Sequence, residues 1–412
     1  MRQQSHPAAP GTATGEQLVT DYLRLGLRLG RLADGFVDCW FGDAELARQV
    51  DQEPKPNPLD LAAQARGLIE HLPDSGLVEP RQRFLAAQLT ALECAARRMA
   101  GVEIPFHTEI EAYFQVSIEV GDPQRYADVH DSIAELVPGS GSLLDRVGQF
   151  MERNHVPPES LERCVLAVSE RLRALVTPLF GLPEREHLTY RIVHDKPWNA
   201  FNHYHGGLRS TVEFNATSGR NIAALPVQVT HESYPGHHTD HCVKEAELVV
   251  GRGWREHTIA LVNTPQCLIA EGMGEAALYA VMPSGWGAWT EEILAEHGVR
   301  VEGELVEQML ALIVRLLPAR QDAAILLHDK GADPDDVINY LRRWLLLTEE
   351  RARHMVRFLT DPLWRAYTTT YIEGAQLVGQ WMAARPAGQS AAERYDVLLR
   401  EPLLPADLAA AL

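Results

Sequence analysis

Four histidines and one glutamate are concentrated in the stretch VTHESYPGHHTDH at residues 229–241, namely His231, Glu232, His237, His238 and His241. Zinc binds neutral imidazole nitrogens, and a catalytic zinc site keeps one position open for water. A glutamate beside a ligating histidine can take the proton from that water as the water attacks a carbonyl. The cluster therefore predicts a zinc centre that hydrolyses an amide-type bond, with Glu232 as the general base.

The spacing of the histidines is incompatible with an undistorted helix. On an ideal helix, His231 and His237 would point about 120° apart. His238 would share the face of His231 but would lie about 10 Å farther along the axis, which is too far for one metal ion. Pro235 cannot donate to the carbonyl four residues earlier, and Gly236 tolerates unusual backbone dihedrals. We therefore expect a bulge at residues 234–236 that brings His237 back beside His231.

The segment HESYPGHH resembles the HE-x-x-P-G-H-H motif of the bacterial family called domain of unknown function 885. That family is placed among gluzincin-type zinc metallopeptidases, so the resemblance implies a mainly α, zincin-like metallohydrolase with a small β-sheet near its active site. Related families keep a glycine directly before the ligating histidine, which favours His237 over His238. His238 and His241 are then expected to support the site. A weaker resemblance is found at residues 37–46, VDCWFGDAEL, which are similar to the D-x-x-x-G segment near the start of the family's sequences.

A glutamate on a later apolar segment is the candidate third ligand. Glu271 lies in LIAEGMGEAALYAVM, residues 268–282, where apolar residues recur at helical spacing. A carboxylate on such a stripe is costly unless it is paired or bound to a metal. Gly272 and Gly274 weaken the helix, which is easier to understand if a neighbouring backbone or a substrate approaches closely.

The resembling family takes its third ligand from a stretch like E-G-W-A-L-Y, and Glu271-Gly272 matches the start of that stretch. The insertion of Gly274 and Glu275 departs from the family pattern and leaves Glu275 as the alternative ligand. Glu271 and Glu275 share one helix face, so one can bind zinc while the other orients a ligand histidine. We expect Glu271 to be the ligand and Glu275 to take the supporting position.

Three further residues are candidates for contact with substrate. Residues 361–381 resemble the family's closing Y-x-x-G segment through Tyr371 and Gly374, which implies that Tyr371 stabilises the oxyanion. Tyr367, one turn earlier, is the second candidate for that contact. Arg365 is a candidate for binding a substrate carboxylate. His205 lies in the polar stretch WNAFNHYHGG and is expected near substrate or active-site water.

These residues predict one zinc ion per chain and a substrate that is a peptide or a small amide-bearing metabolite. The alternative is a zinc-dependent tailoring enzyme that runs a lyase or other non-peptidase reaction on a small amino-acid-derived metabolite, because a fold does not fix its chemistry. A serine or cysteine nucleophile is not supported. The sequence has no G-x-S-x-G elbow, and Cys242 directly follows His241, so the two would not face each other on a helix.

Most of the chain shows the periodicity of amphipathic helices, and helices are predicted at residues 16–35, 59–72, 80–100, 157–176, 257–281, 302–317, 334–346 and 348–359. Residues 187–194 and 210–215 are rich in β-branched and aromatic residues and predict strands, separated by a polar loop at 198–207. The strand at 210–215 precedes the helix that carries the histidine motif. If this strand lies at the edge of its sheet, it could pair with extended substrate. We expect a flexible tail at 1–15, a helical N-terminal region at 16–185 and a catalytic region at 186–412, although no linker marks the boundary.

Composition and charge limit the binding partners and the cellular compartment that the sequence allows. The net charge of -18 excludes binding to nucleic acid and gives no basis for binding anionic membranes. No apolar run is long enough to span a bilayer. The five cysteines are scattered and form no C-x-x-C pair, which argues against a disulfide framework and against a thiolate zinc finger. Because the first residues also lack an apolar signal segment, we expect a soluble cytoplasmic protein.

Overall fold

A computed structural model describes residues 15–196, 198–217 and 224–412. Of the predicted flexible tail at 1–15, residues 1–14 lie outside the described residues, and Gly15 begins the first helix. The N-terminal elements are α1 Gly15–Gly30, β1 Val37–Trp40, α2 Ala44–Gln52, α3 Pro58–His71, α4 Glu79–Met99, α5 Phe106–Phe114, α6 Gln124–Leu136, α7 Leu143–Arg153 and α8 Pro158–Phe180. The helices predicted in this region are all present, and α1 ends at Gly30 rather than at residue 35.

A three-stranded sheet follows, formed by β2 His187–Val193, β3 Ala200–Tyr204 and β4 Arg209–Asn215 in the order β2-β4-β3. The strands β2 and β4 are parallel, whereas β3 and β4 are antiparallel. The prediction of strands at 187–194 and 210–215 is confirmed. The second of these is the central strand of the sheet, so it cannot offer the free edge that we expected.

The prediction of a loop at 198–207 is wrong for β3. Asn202 and Tyr204 are buried on one face of this strand, and the alternate residues Phe201 and His203 are only partly buried on the other. Such a two-residue alternation suits a half-buried strand. The turn lies farther on, at Gly206 and Gly207, which have φ of 72° and 62°.

The rest of the described chain is mainly helical. Its regular elements are α9 Leu225–Glu232, α10 His237–Lys244, β5 Ile259–Leu261, α11 Pro265–Val281, α12 Trp286–Glu296, α13 Gly303–Val314, α14 Pro318–His328, α15 Pro334–Trp344, α16 Glu349–Thr360, α17 Ala375–Ala383, α18 Ala391–Arg400 and α19 Pro405–Ala410. Two π-helical segments, Glu245–Gly251 and Thr370–Gly374, precede β5 and α17 respectively. The architecture is therefore mainly α, as predicted.

The predicted helix at 257–281 begins later than expected. Residues Ile259–Leu261 form β5, which pairs antiparallel with β1. Asn263 has φ of 57°, which ends the extended run, and the Thr264 hydroxyl accepts from the Cys267 amide to cap α11. A capping threonine followed by Pro265 at the first helical position is a strong local start signal, and it fixes the start of α11 at residue 265.

One contiguous core contains buried apolar residues from both predicted regions of the chain. A buried bidentate ion pair of 2.6 and 2.7 Å between Arg81 of α4 and Glu256 also joins the two regions. The division at 186 stays a sequence-based prediction. None of the helices in the described ranges combines the length and the apolar character that crossing a bilayer requires.

Candidate metal centre

The histidine motif lies at a break between two short helices. Helix α9 ends at Glu232 and α10 begins at His237, so the chain leaves the helical path in between. A Cβ atom on Gly236 would stand 2.0 Å from the carbonyl oxygen of His231, and the Gly236 amide donates to Thr230 at 2.8 Å. Only glycine permits this close return of the backbone. The distortion predicted at 234–236 is therefore confirmed, and it takes the form of a full helix break.

The break brings His231 and His237 together, with ring centroids 4.6 Å apart. Glu271 of α11 lies between them. Its Oε2 is 3.3 Å from Nε2 of His231, and its Oε1 is 3.7 Å from Nε2 of His237. One ligand atom from each of the three residues lies within 4.8 Å of the others. The structure thus brings together the three residues predicted as metal ligands.

The arrangement fits a zinc ion. Tetrahedral ligands about 2.0–2.1 Å from zinc are about 3.3 Å apart. The carboxylate of Glu271 lies 3.3 and 3.7 Å from the two imidazole nitrogens, and one ligand atom from each residue lies within 4.8 Å of the others. The Oε2 atom of Glu271 is buried and makes no hydrogen bond to the described residues, and Nε2 of His231 lies 3.3 Å from it. A buried carboxylate oxygen without a hydrogen bond is costly, and coordination of a cation would remove that cost. The donor set, two imidazoles and one carboxylate, is a type that catalytic zinc sites use.

Two glycines allow α11 to approach the cluster closely. A Cβ atom on Gly274 would stand 2.6 Å from the imidazole of His231. A Cβ atom on Gly272 would stand 2.4 Å from the carbonyl oxygen of Gly374, at the end of the second π-helical segment. The expectation that a neighbouring group approaches both glycines is confirmed. The lack of a side chain at Gly274 lets the backbone carrying Glu271 reach His231, and the lack of one at Gly272 lets α11 pack against the second π-helical segment.

Neighbouring residues contact the candidate ligands. The hydroxyl of Tyr367 donates to Oε1 of Glu271 at 2.8 Å. Oε1 of Glu275 lies 3.7 Å from Nδ1 of His231, opposite the nitrogen that faces Glu271. Glu275 therefore takes the supporting position predicted for it. Tyr367, which we expected at the substrate, has its hydroxyl committed to the carboxylate of Glu271.

The charges of the cluster are strongly coupled. Burial would raise the pKa of Glu271, but the 3.3 Å contact with His231 and the charges of both imidazoles outweigh it and lower that pKa to about 2. Burial would lower the pKa of His231, yet the contact with Glu271 raises it to about 10. Burial and the charge of His231 lower the pKa of His237 to about 4. Near pH 7 Glu271 is thus an anion and His237 a neutral imidazole, the forms that ligate metals, whereas His231 is protonated and would release its proton when a metal binds.

Glu232 ends α9 directly beside His231 and is buried. Its backbone carbonyl accepts a 2.7 Å hydrogen bond from the Asn202 side chain, which ties this end of the helix to β3. Burial raises the pKa of the Glu232 carboxyl to about 7, with Glu271 and Asp38 adding to the rise and His231 opposing it. A carboxyl group with a pKa near neutrality can both accept and return a proton at pH 7.

Tyr371 lies in the second π-helical segment, with its ring centroid 5.5 Å from that of Tyr367. Burial raises the pKa of its phenol well above the ordinary value, and Glu271 adds to the rise. Within the described ranges, no hydrogen-bond partner engages its hydroxyl group. Tyr371 therefore lies beside the cluster as a protonated phenol that can donate to another molecule.

His238 and His241 have other partners. The Nε2 atom of His238 lies 2.8 Å from Glu186, and its Nδ1 atom lies 2.8 Å from the Ser210 hydroxyl, so both ring nitrogens are engaged. This excludes His238 as the second ligand in the observed arrangement. The ring of His241 stacks on Tyr204 with centroids 4.6 Å apart. Neither histidine is hydrogen-bonded to a ligand side chain, so their support is limited to holding α10 against the sheet.

The structure does not place Arg365 and His205 at the substrate as predicted. Arg365 donates from Nε to Oε2 of the buried Glu109 at 3.0 Å, so its charge is already neutralised. His205 is exposed, and its Nε2 lies 2.9 Å from the Thr211 hydroxyl in the same sheet. The partner of Arg365 is 256 positions away in the chain, so no local pattern could have revealed it.

Sequence reasoning missed two charged residues near the cluster. Asp38 occupies the register irregularity of β1 between Val37 and Cys39. Its side chain is exposed, and the charge of Glu271 contributes to raising the pKa of its carboxyl. Arg320 of α14 lies with its guanidinium carbon 5.7 Å from the centroid of the Tyr371 ring. The only sequence signal for Asp38 is the weak D-x-x-x-G resemblance at residues 37–46. No local pattern in the sequence marks Arg320.

No protein-family model matches the sequence, and no curated protein matches it. The fold is similar to that of a "putative lipoprotein from Colwellia psychrerythraea", with 15% identity, a TM-score of 0.50 and coverage of 85% of this chain. It is also similar to that of a "putative lipoprotein of unknown function from Shewanella oneidensis", with 14% identity, a TM-score of 0.50 and coverage of 89% of this chain. The chain spans 65% of the Colwellia protein and 74% of the Shewanella protein. At these identities the likeness shows a shared fold alone.

Proposed function

We propose that this protein is a zincin-like, gluzincin-type metallohydrolase that cleaves a peptide or small amide bond, related to the domain of unknown function 885 family. The observation that carries the proposal is the convergence of His231, His237 and Glu271, with Oε2 of Glu271 buried and lacking a hydrogen-bond partner among the described residues. A buried carboxylate oxygen without a hydrogen bond, next to a buried glutamate whose pKa is raised, is costly for stability. Such a cost is expected at a catalytic centre.

The candidate metal ligands and the residues that contact them have separate roles in the proposed reaction. His231, His237 and Glu271 would hold one zinc ion, which when bound supplies Lewis-acid polarisation of the scissile carbonyl and a water of lowered pKa. Glu275 orients His231 from the opposite side of its ring, at 3.7 Å. Tyr367 fixes the rotamer of Glu271 through its 2.8 Å hydrogen bond.

Glu232 acts as the general base of the reaction. It takes a proton from the attacking water as the new C–O bond forms, and it passes that proton to the leaving amine as the C–N bond breaks. The raised pKa of about 7 suits both transfers. Tyr371 donates a hydrogen bond from its free hydroxyl to the oxyanion that develops on the carbonyl oxygen.

The test is cleavage of a mixed library of short peptides by zinc-loaded protein, read by mass spectrometry. We expect defined cleavage products from wild type and a loss of turnover by a factor of about 10²–10⁴ in Glu232→Gln, with zinc content unchanged. The matched control is Glu292→Gln on the exposed face of α12, which should cleave like wild type. Turnover that survives Glu232→Gln would remove the assigned base. Zinc-loaded wild type that cleaves no peptide would favour the tailoring reaction on a small metabolite.

A further inference from the structure

Arg320 carries a positive charge that has no ion-pair partner among the described residues, and its guanidinium lies over the ring of Tyr371. It lies on α14, half-buried, and its Nε atom is fully buried without a hydrogen-bond partner. Within the described ranges, no carboxylate lies within ion-pair distance of its guanidinium. By contrast, Arg81 forms an ion pair with the buried Glu256, and Arg365 forms one with the buried Glu109.

The position of Arg320 relates it to the candidate metal centre. Its guanidinium carbon is 5.7 Å from the centroid of the Tyr371 ring, and that ring is 5.5 Å from the ring of Tyr367. The hydroxyl of Tyr367 in turn donates to the metal-ligand candidate Glu271. Arg320 is thus the outer member of a row of side chains that begins at the cluster. Its immediate neighbour in the row is Tyr371, the proposed oxyanion donor.

The nearby anions do not neutralise this charge. Glu275 influences Arg320 electrostatically, but its carboxylate lies near Nδ1 of His231, at 3.7 Å. Burial lowers the pKa of Arg320, and Tyr371 and Glu275 oppose this only in part. An arginine stays protonated in proteins, so the site retains a partly buried cation. Such a cation is costly unless an anion binds it, and a carboxylate can do so through two parallel hydrogen bonds.

We propose that Arg320 binds the free carboxylate of the substrate, so that the leaving group of the reaction is an amino acid or a very short peptide. This inference rests on the proposed function and names its substrate class. That class comprises peptides with a free C-terminal carboxylate, from which C-terminal residues are removed, and N-acyl amino acids. In a peptide the terminal carboxylate always lies on the amine side of the scissile bond. The guanidinium of Arg320 lies 5.7 Å from the centroid of the Tyr371 ring, so a carboxylate bound there would lie on the side of the site next to the proposed oxyanion donor. The protein would therefore act from the C-terminus and not inside long chains.

The experiment compares N-acetylated tripeptides that carry every residue type at the last position, each as the free acid and as the carboxamide. Hydrolysis and binding are measured for zinc-loaded wild type, Arg320→Gln, Arg320→Lys and the control Arg315→Gln, an exposed arginine five residues earlier. Wild type should prefer the free acids by about tenfold to a hundredfold, the value of one charge-assisted contact. Arg320→Gln should raise KM for the free acids by the same factor and leave the carboxamides unchanged. Arg320→Lys should recover only part of the loss, because an ammonium cannot form the paired contact.

The outcomes separate this inference from the proposed function. Cleavage without a preference for the free acid, or an equal loss on acids and carboxamides in Arg320→Gln, would overturn the role of Arg320 and leave the hydrolase intact. If no peptide is cleaved, calorimetric binding of the free acids decides the matter. Carboxylate-dependent binding that is lost in Arg320→Gln would support Arg320 while the proposed hydrolysis fails. Equal binding of acids and carboxamides, or no binding, would overturn the assignment.

Discussion

Gly274 lies against the imidazole of His231, and a Cβ atom at this position would stand 2.6 Å from the ring atoms Cε1 and Nδ1. Carbon atoms in favourable contact are about 3.5–4.0 Å apart, so no side chain fits there without displacing the ring. Gly274 and Glu271 are three residues apart and share one face of α11. The glycine therefore sets how closely the helix that carries Glu271 approaches His231.

The first prediction concerns Gly274→Ala. The added methyl group should push the His231 ring away from Glu271, and zinc affinity should fall by about tenfold to a hundredfold. Affinity is measured by competition with a chromophoric chelator. The control is Gly379→Ala in α17, where a Cβ atom meets nothing within 4 Å. That variant should bind zinc like wild type and could gain up to about 1 kcal/mol of stability. Equal zinc affinity in the two variants would contradict this role of Gly274.

The second prediction concerns Tyr367→Phe. This change removes the 2.8 Å hydrogen bond to Oε1 of Glu271 and frees the carboxylate to change its rotamer. We expect zinc affinity to fall by about tenfold, measured by the same competition. Tyr340→Phe is the matched control, because Tyr340 also donates to a carboxylate, that of Asp322 at 2.9 Å, which is not part of the cluster. If both variants keep the affinity of wild type, Tyr367 does not position the ligand.

The elements that the sequence predicted well are those whose signals are local. Helix α4 was predicted at 80–100 and runs from Glu79 to Met99, because its apolar periodicity is continuous. Strand β3 was missed because its alternation stands beside two turn glycines, although its pairing with β4 is a local hairpin. Strand β5 was missed for a different reason, since its partner β1 lies more than 200 positions earlier in the chain.

The residues of the candidate site also fall into two groups, those with a local signal in the sequence and those without one. The residues His231, His237 and Glu271 were predictable because a compact motif and an apolar stripe mark them in the sequence. The carboxylate-binding role was assigned to Arg365, which instead pairs with Glu109. Which arginine keeps a free charge depends on partners that only the tertiary structure brings together. The same holds for Tyr367, whose contact with Glu271 spans 96 positions.

The third prediction concerns the buried Glu186, which accepts hydrogen bonds from His238, Tyr234 and Arg173 at 2.8, 2.8 and 2.6 Å. Burial would raise its pKa, but these hydrogen bonds outweigh burial and lower the pKa to about 2. The folded pKa is therefore below the unfolded value of about 4.3. The charged Glu186 stabilises the fold above that unfolded value, and the contribution is lost as pH falls from about 4.3 through about 2.

Glu186→Gln should lower the free energy of unfolding at pH 7 by roughly 3–5 kcal/mol, the usual cost of removing one partner of a buried charged contact. The difference between wild type and variant should shrink between about pH 4.3 and pH 2. Urea denaturation of chelator-treated protein at several pH values measures both effects. The control is Glu184→Gln, an exposed glutamate two residues earlier, which should behave like wild type. A stability difference that does not change with pH would show that the charge of Glu186 is not responsible.

The most direct test of the metal centre is the zinc content of protein purified without an affinity tag or chelators, measured by mass spectrometry. We predict about one zinc ion per chain in wild type, a value set by a single tetrahedral site. His237→Ala should lose the metal, and His205→Ala should keep it because His205 faces Thr211 instead of the cluster. Wild type that stays free of zinc even after zinc is supplied, or His237→Ala that binds zinc like wild type, would contradict the account.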